Sequence, residues 1–427
     1  MAELRYRAPK GTYDLVFPES ERTERVLALA GEVLTLRGYR RISTPVLENT
    51  ELFRRSIGED TDIVTKEMYT FEDRGGESLT MRPEGTAPVI RAYLERGLYA
   101  EGLPQKLFYF GPMFRRERPQ AGRFRQFYQI GAEAVGSADP LIDAEIISIS
   151  AVLFQRLGLE RYRLVLNSVG CRNCRPGYRE VLTGYLEGIA PSLCEQCRKR
   201  AKTNPMRVFD CKEEGCREAL SGAPAIAEHI CPECREHFEG VMGGLEMLEV
   251  PFDVDRSLVR GLDYYTKTAF EFQFEGLGAQ NAVSAGGRYD YLAEELGGPP
   301  TPGVGFSMGV ERLMMSLDSE GLGMFEELEQ MIVFVAGVEG VDRGRVFSLL
   351  KEIRDASFSA DADFMGRSLK AQMKQADRLG AMLVMIVGGE ELERGGVALR
   401  DLGRSEQWDI PIGDAVSEIE RFLEGTR

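Results

Sequence analysis

Four arginines recur where strands are expected or where a strand turns into a helix: Arg115, Arg123, Arg260 and Arg312. Arg115 stands two residues before Glu117 on one strand face, Arg123 ends the loop RPQAGR, Arg260 opens a β-like run, and Arg312 falls near a helix start. Arginine is costly to bury unless paired. Its planar guanidinium suits phosphate oxygens, which it can grip with two parallel hydrogen bonds. Taken singly, each arginine is first a surface ion pair; their grouping is what points to phosphate chemistry. Beside them runs FRQFYQIGAEAVG, in which strand alternation puts Phe127, Gln129, Gly131 and Glu133 on one face. A ring, an amide, a gap and a carboxylate make an odd core but a plausible pocket floor, with Gly131 leaving room for something to sit between Gln129 and Glu133.

All eight cysteines lie between Cys171 and Cys234, in the pairs Cys171/Cys174, Cys194/Cys197, Cys211/Cys216 and Cys231/Cys234. In a reducing compartment such pairs read as metal ligands rather than disulfides. Three pairs have the two-residue spacing that lets both thiolates reach one tetrahedral zinc ion. Cys194/Cys197 can combine with either Cys171/Cys174 or Cys211/Cys216, and His229 or His237 could replace a ligand, so one or two structural Zn2+ ions are expected. Little apolar sequence is available to such a module, and bound metal could supply the missing folding energy.

The elements that must position these residues follow from periodicity. Residues 20–37 read as an amphipathic helix with Val26, Leu29, Val33 and Leu36 inward, Ser20 as cap and Gly38 as stop. A short β-like run, Arg41–Thr44, comes next. Residues 107–136 read as two strands joined by a glycine-containing loop, an antiparallel hairpin. In SLVRGLDYYTKTAFEFQF, Thr268, Phe270, Phe272 and Phe274 share one face, and Tyr264 and Tyr265 point to opposite faces if the strand is regular. VGFSMGVERLMMSL is a strand turning into a helix. The cysteine-bearing stretch, about 171–240, interrupts this core as an insertion, which divides it into residues 1–170 and 241–328. Residues 319–330 suggest a boundary, and 329–427 alternate strand and helix, as a small α/β domain with a mainly parallel sheet would.

The chain of 427 residues is too long for one typical core. It holds no run of about 18 apolar residues and no apolar leader, so a cytoplasmic location and no membrane association are expected. The net charge of −15 argues against indiscriminate nucleic-acid binding, yet leaves room for a local basic patch.

FRRERPQAGRFRQF and GVGFSMGVERL resemble the second and third signature motifs of class II aminoacyl-tRNA synthetases. LTMRPEGTAPVIRAY, LVRGLDYYTKTAFEF, AGGRYDYL, APKGTYDL and GRSLKAQMKQADRLGA are similar to segments of histidyl-tRNA synthetases, so the resemblance runs along nearly the whole chain. It implies an α+β fold, with an antiparallel catalytic sheet flanked by helices and a C-terminal anticodon-binding domain. It also implies a homodimer whose substrates are L-histidine, ATP with Mg2+, and histidine tRNA. On this sequence Arg115 would hold the α-phosphate and carboxylate, Phe127 would stack on adenine, and Glu117 would contact the adenine side. Arg123 and Arg312 would grip the outer phosphates. Glu84, Thr86 and Gln129 would receive the amino group of histidine, with Gly85 also among the histidine-binding residues. Glu133 and Tyr265, with Tyr264 beside it, would read its ring; of the tyrosine pair the family pattern favours Tyr265 as the one that faces the ligand. Arg260 would be the principal catalytic residue, stabilising charge that builds at the α-phosphorus. Its bland alternative is a strand-end salt bridge.

The resemblance leaves a rival of another class, the regulatory subunit of ATP phosphoribosyltransferase. That subunit shares the core but generally lacks an intact RGLDYY-type run and the C-terminal domain, both present here. A non-catalytic tRNA-binding paralogue would be expected to lose Arg115, Arg260 or Arg312. Two basic clusters could meet the tRNA or merely be solvated: Arg198, Lys199, Arg200, Lys202 and Arg207 in the insertion, and Arg367, Lys370 and Lys374 in the tail.

Overall fold

The computed structural model describes the chain except residues 1–5, 59–60, 212, 261, 323–330 and 427. It divides into two compact units, Met1–Met324 and Phe325–Arg427. In chain order the first unit contributes β1 (Arg40–Arg41), β2 (Leu47–Asn49), β3 (Tyr69–Glu72), β4 (Ser78–Met81), β5 (Gln105–Phe114) and β6 (Gln126–Val135). After these come β7 (Tyr162–Ser168), β8 (Asp253–Val254), β9 (Thr266–Phe274), β10 (Ala282–Arg288) and β11 (Gly303–Gly309). Eight of them form one sheet in the order β1-β5-β6-β11-β10-β9-β7-β8, and β2, β4 and β3 form a small second sheet. From β5 to β7 every pairing in the large sheet is antiparallel.

The helix Pro140–Leu157 begins with Asp139 accepting the Leu141 N–H at 2.9 Å, has proline in its first turn, and ends at Gly158 with φ 75°. Such a cap contributes about 1 kcal/mol. The helix buries Ala144, Ile147, Ala151 and Phe154, and Phe154 meets Phe272 of β9 edge-to-face at 5.5 Å. At its heart sits a buried polar group. Arg288 ion-pairs with Asp143, whose Oδ2 also takes Thr268 Oγ1 at 2.7 Å and His237 Nε2 at 2.9 Å. Burial alone would raise the Asp143 carboxyl, but His237 and Arg288 hold it below its ordinary value. Breaking such a group from one side leaves an uncompensated buried charge.

Several local expectations are corrected here. The first helix is Glu19–Leu36, with Ser20 inside it and no side-chain cap. Its inward face is Val26, Ala30, Val33 and Leu34, whereas Leu36 is 75% exposed. The β-like run at Arg41–Thr44 shrinks to Arg40–Arg41. Within the cysteine-bearing stretch, the helices Arg175–Gly188, Glu195–Thr203 and Glu214–Leu220 enclose a core of their own, including Tyr178, Leu182, Leu186, Val208 and Ile226. The module is therefore not short of apolar sequence. The following helix, Pro232–Met247, runs through residue 240. A Cβ on its Gly240 or Gly244 would meet Pro140 or Ala144 inside 3.0 Å, so it lies close against the helix Pro140–Leu157.

The second unit is one sheet of β12 (Val333–Gly337), β13 (Ala360–Ala362), β14 (Leu383–Val387), β15 (Gly396–Asp401) and β16 (Gln407–Pro411). Its order is β13-β12-β14-β15-β16. β12, β13 and β14 are parallel, β15 opposes them, and β16 opposes β15, so four strands share one direction. β12 and β14 read as continuous apolar runs because both faces are covered. Val333, Val335, Leu383 and Met385 pack with Leu349, Leu350, Ile353 and Ile419 on one side, and Phe334, Ala336 and Val384 with Ala376 on the other.

Candidate active site

β6 lies between β5 and β11, and its register gives the pocket floor. Gln129 is flanked by Gly111 and Gly309, Gly131 by Tyr109 and Ser307, and Glu133 by Leu107 and Gly305. Gly111 leaves room for the Arg82 guanidinium, and Gly305 for the Glu133 carboxylate itself. The gap at Gly131 is filled by the protein too. A Cβ on Gly131 would stand inside 3.0 Å of Tyr109 Cζ, Oη and Cε1, and one on Gly85 inside 3.0 Å of Cζ, Oη and Cε2. The buried Tyr109 ring thus threads between two glycines, one on each edge.

Two carboxylates are buried at this floor. Glu133, with no exposed surface, accepts from Thr86 Oγ1 at 2.8 Å and Tyr289 Oη at 2.5 Å. Burial pushes it up to about 8, against the pull of those two donors. Glu84 accepts the N–H groups of Thr86 at 2.6 Å and Ala87 at 3.0 Å, where the helix Thr86–Glu95 begins. Burial raises it too, and the backbone N–H groups pull it back. Gln129 donates to Ser307 Oγ at 3.4 Å, while its buried Oε1 has no partner. Paired buried carboxylates and an unpaired amide oxygen are set to receive a ligand carrying N–H groups and positive charge.

The tyrosine pair departs from the regular-strand expectation. Tyr264 and Tyr265 precede β9 in a turn, both are buried, and their rings lie 4.7 Å apart, with Tyr289 at 5.9 Å from Tyr264. Arg260 lies in the same loop, not on a strand. It ion-pairs with Glu271 of β9, its guanidinium sits over the Tyr265 ring at 5.5 Å, and its buried Nε has no partner.

Next to this pocket the remaining arginines converge. Arg115 donates Nε to Pro83 O at 2.9 Å, lies over the Phe127 ring at 5.3 Å and approaches Glu117 at 3.9 Å. Arg123 pairs with Glu117 at 2.8 Å. Arg312, on the helix Val310–Ser319, donates to Gly122 O at 3.1 Å and Ala282 O at 2.7 Å. Burial lowers the Arg312 pKa, and the nearby charges of Arg123 and Arg115 lower it further. Three guanidiniums that repel one another make a site for a polyanion. A cavity of about 1170 Å³ opens there, lined by Arg123, Arg312 and Glu271 among others.

Comparison with known proteins decides the family. Residues 11–174 and 175–313 match the histidyl-tRNA synthetase family, and residues 332–422 match the anticodon binding domain. The chain belongs to the histidyl-tRNA synthetase family. A histidine–tRNA ligase of Desulforudis audaxviator is 51% identical over 98% of this chain and 99% of its own length. One of Moorella thermoacetica is 48% identical over 97% and 98%. Apo histidyl-tRNA synthetase of S. aureus superposes with a TM-score of 0.82 at 35% identity, covering 97% of this chain and 99% of that one.

In this member of the histidyl-tRNA synthetase family the cysteines sort into two groups of four, Cys171/Cys174/Cys231/Cys234 and Cys194/Cys197/Cys211/Cys216. The combination of Cys171/Cys174 with Cys194/Cys197 is excluded. Sulfur separations are 3.6 Å for Cys171–Cys174, 3.7 Å for Cys174–Cys234, and 3.9 Å for both Cys171–Cys231 and Cys194–Cys211. Zn–S bonds of about 2.3 Å in a tetrahedron place sulfurs about 3.8 Å apart, whereas a disulfide needs about 2.05 Å. Backbone N–H groups point at sulfur as they do at thiolates: Cys231 N to Cys174 and Cys194 N to Cys216, each at 3.1 Å. Neither histidine joins the sets, since His237 serves Asp143 and His229 packs by Tyr178 at 5.7 Å.

Some contributors escaped the sequence reading. Tyr109 and Tyr289 shape the Glu133 pocket, and Arg82, just past β4, ties β5 to the segment before β2 by donating to Pro112 O at 2.9 Å and Thr44 O at 3.0 Å. Glu311 accepts the Tyr128 N–H at 2.9 Å and the Tyr13 hydroxyl at 3.0 Å. Alternation along β5 was the available signal for Tyr109, because its register partner is the glycine of the pocket face.

Proposed function

We propose that this site joins the carboxylate of L-histidine to the α-phosphorus of ATP and then passes the histidyl group to its tRNA. The observation that carries the reading is the meeting, along one face of β6, of a buried carboxylate pocket and a set of convergent guanidiniums. In the first step a carboxylate oxygen of histidine bonds to the α-phosphorus as the bond to the bridging oxygen breaks, and pyrophosphate leaves with the electron pair. No general base is required, because the nucleophile is already ionised; positioning and charge stabilisation do the work. In the second step the terminal ribose hydroxyl of the tRNA bonds to the histidyl carbonyl carbon as the bond from that carbon to the phosphate oxygen breaks; AMP leaves with the electron pair, and the hydroxyl proton is released.

Glu84, Thr86 and Gln129 receive the amino group, with Gly85 making room for the Tyr109 ring beside them. Glu133, Tyr264 and Tyr265 hold the ring end. Polar groups matched to both ring nitrogens would be left unpaired by an isostere, which gives selectivity without editing. Phe127 offers a ring to adenine beside Glu117, Arg115 takes the α-phosphate, and Arg123 with Arg312 takes the outer phosphates, ATP arriving as its Mg2+ complex. The free Nε of Arg260 is a donor available to the charge that develops at the α-phosphorus. The two four-cysteine groups are read as structural zinc sites, soft thiolate sets that suit this ion.

The C-terminal unit is assigned the anticodon. A cavity of about 700 Å³ there is lined by Arg343, Phe347, Phe364 and Arg367, the two rings lying 6.5 Å apart. Exposed rings beside cations suit unstacked bases. A homodimer and a cytoplasmic location are part of the same reading; no described helix is long and apolar enough to cross a membrane. The regulatory-subunit reading is disfavoured by the intact RGLDYY run and by the C-terminal unit, and a non-catalytic paralogue by the full set of Arg115, Arg260 and Arg312. The test is ATP–pyrophosphate exchange against all twenty amino acids: exchange with histidine alone supports the proposal. Binding of ATP and histidine without exchange refutes it.

A further inference from the structure

We infer that the two metal sites have different jobs: the outer one closes the neck of the insertion, while the inner one forms a wall of the nucleotide cleft and positions the segments that carry Arg115 and Arg260. This rests on the zinc reading of the cysteines, and on the cleft's being the ATP site.

The first group joins the two ends of the excursion. Cys171 and Cys174 follow β7, Cys231 and Cys234 open the helix Pro232–Met247, and Cys171, Cys174 and Cys234 are buried. Nothing in this group lines the cleft. The second group does: Cys194 and Cys211 border the same cavity as Arg123 and Arg312.

From this second group two arms reach the catalytic residues. Cys194 caps the helix Glu195–Thr203, its sulfur accepting the Cys197 N–H at 3.4 Å. Further along that helix Arg200 pairs with Asp62 at 3.2 Å. Asp62 leads into the turn Ile63–Glu67, and Glu67 O accepts the N–H of Arg116 at 2.6 Å, between Arg115 and Glu117. The other arm lies between Cys197 and Cys211. There Arg207 pairs with Asp263 at 2.9 Å and Asn204 donates to it at 3.4 Å, three residues after Arg260. The geometry of four sulfurs thus sets how far apart these arms stand. Two members of the basic cluster are turned inward as latches, leaving Arg198, Lys199 and Lys202 exposed.

The insertion has its own apolar core, so losing the inner metal should loosen the wall without unfolding the module. That separates a positioning role from bulk stability. The experiment combines elemental analysis of protein purified without chelators with equilibrium dialysis of MgATP and of histidine, neither of which needs catalysis. Wild-type protein is expected to carry two zinc ions per chain. Cys216→Ser, at a buried ligand of the inner site, should retain one and weaken MgATP by about five- to twentyfold, with a smaller loss of histidine binding through the Asp263–Tyr265 segment. Arg200→Gln should keep both ions and weaken MgATP in the same direction, which preserves the test if Cys216→Ser does not fold. Cys234→Ser should also leave one ion, open protease cuts at the neck, and move MgATP less than Cys216→Ser does. Wild-type protein free of zinc overturns the metal sites. Normal MgATP affinity in Arg200→Gln or in one-zinc Cys216→Ser overturns the wall's role while leaving the metal reading intact.

Discussion

Gly131→Ala adds one methyl group to the pocket floor, and the structure dictates where it goes. The new carbon would sit inside 3.0 Å of three atoms of the Tyr109 ring, against a comfortable carbon–carbon contact of about 3.5–4.0 Å. The nearest of them, Cζ at 2.1 Å, must therefore withdraw by roughly 1.4–1.9 Å to reach that contact. Gly85 blocks its other edge at a similarly close approach, so sliding within the slot is closed. Overpacking of this kind costs about 1–3 kcal/mol, and a double-sided constraint argues for the upper half of that range. Because the ring lies between Glu84 and Glu133, its displacement should also disturb the ligand pocket. A loss of about 1.4–2.8 kcal/mol of binding corresponds to a KM for histidine raised about 10- to 100-fold. Urea unfolding and exchange kinetics measure the two effects. Combining the change with Tyr109→Ala should make the penalty strongly non-additive, since the obstructing atoms are gone. Wild-type stability and a normal KM in Gly131→Ala, or simple additivity in the double variant, would refute the slot.

Arg260→Ala should lower the rate of pyrophosphate exchange by about two to three orders of magnitude with histidine affinity little changed, and near-normal turnover would move the role elsewhere. Glu133 sits at about 8 in the free protein against an ordinary 4.5; histidine binding that favours the carboxylate should release up to about one proton near neutral pH and none well above 8. Titration calorimetry in buffers of differing ionisation enthalpy measures that release, and its survival in Glu133→Gln would exclude Glu133 as its source. Asp143→Asn should cost about 3–5 kcal/mol in urea unfolding, because Arg288 loses its buried counter-charge. As the Asp143 pKa is depressed, its stabilisation is present above the ordinary aspartate range and fades as pH falls through the lower folded value.

The β5–β6 hairpin and the strand-to-helix turn at Arg312 were legible because each is set by local periodicity. That Phe127, Gln129, Gly131 and Glu133 share one face of β6 was legible for the same reason. What sits on that face was not: Tyr109 comes from the neighbouring strand, and only the register between β5 and β6 delivers it to Gly131. Tyr264 and Tyr265 were misread because strand alternation was extended into a turn. Spacing could not choose among cysteine partners such as Cys171–Cys231 and Cys174–Cys234, each 60 residues apart in the chain. Charge counting likewise saw a basic cluster where Arg200 and Arg207 find their carboxylates only through long-range packing.

The neck of the insertion sets what can lie beyond it. The chain leaves the core at Cys171 and Cys174 and returns at Cys231 and Cys234, with facing sulfurs 3.9 Å and 3.7 Å apart. Seen from β7 and the helix Pro232–Met247, the whole excursion is a loop with coincident ends. Its length is then free to drift, because lengthening a loop whose ends are already pinned adds little closure entropy. Residues between Cys174 and Cys231 form a socket into which a longer, shorter or unrelated segment could be grafted, provided its own ends meet at the same four sulfurs.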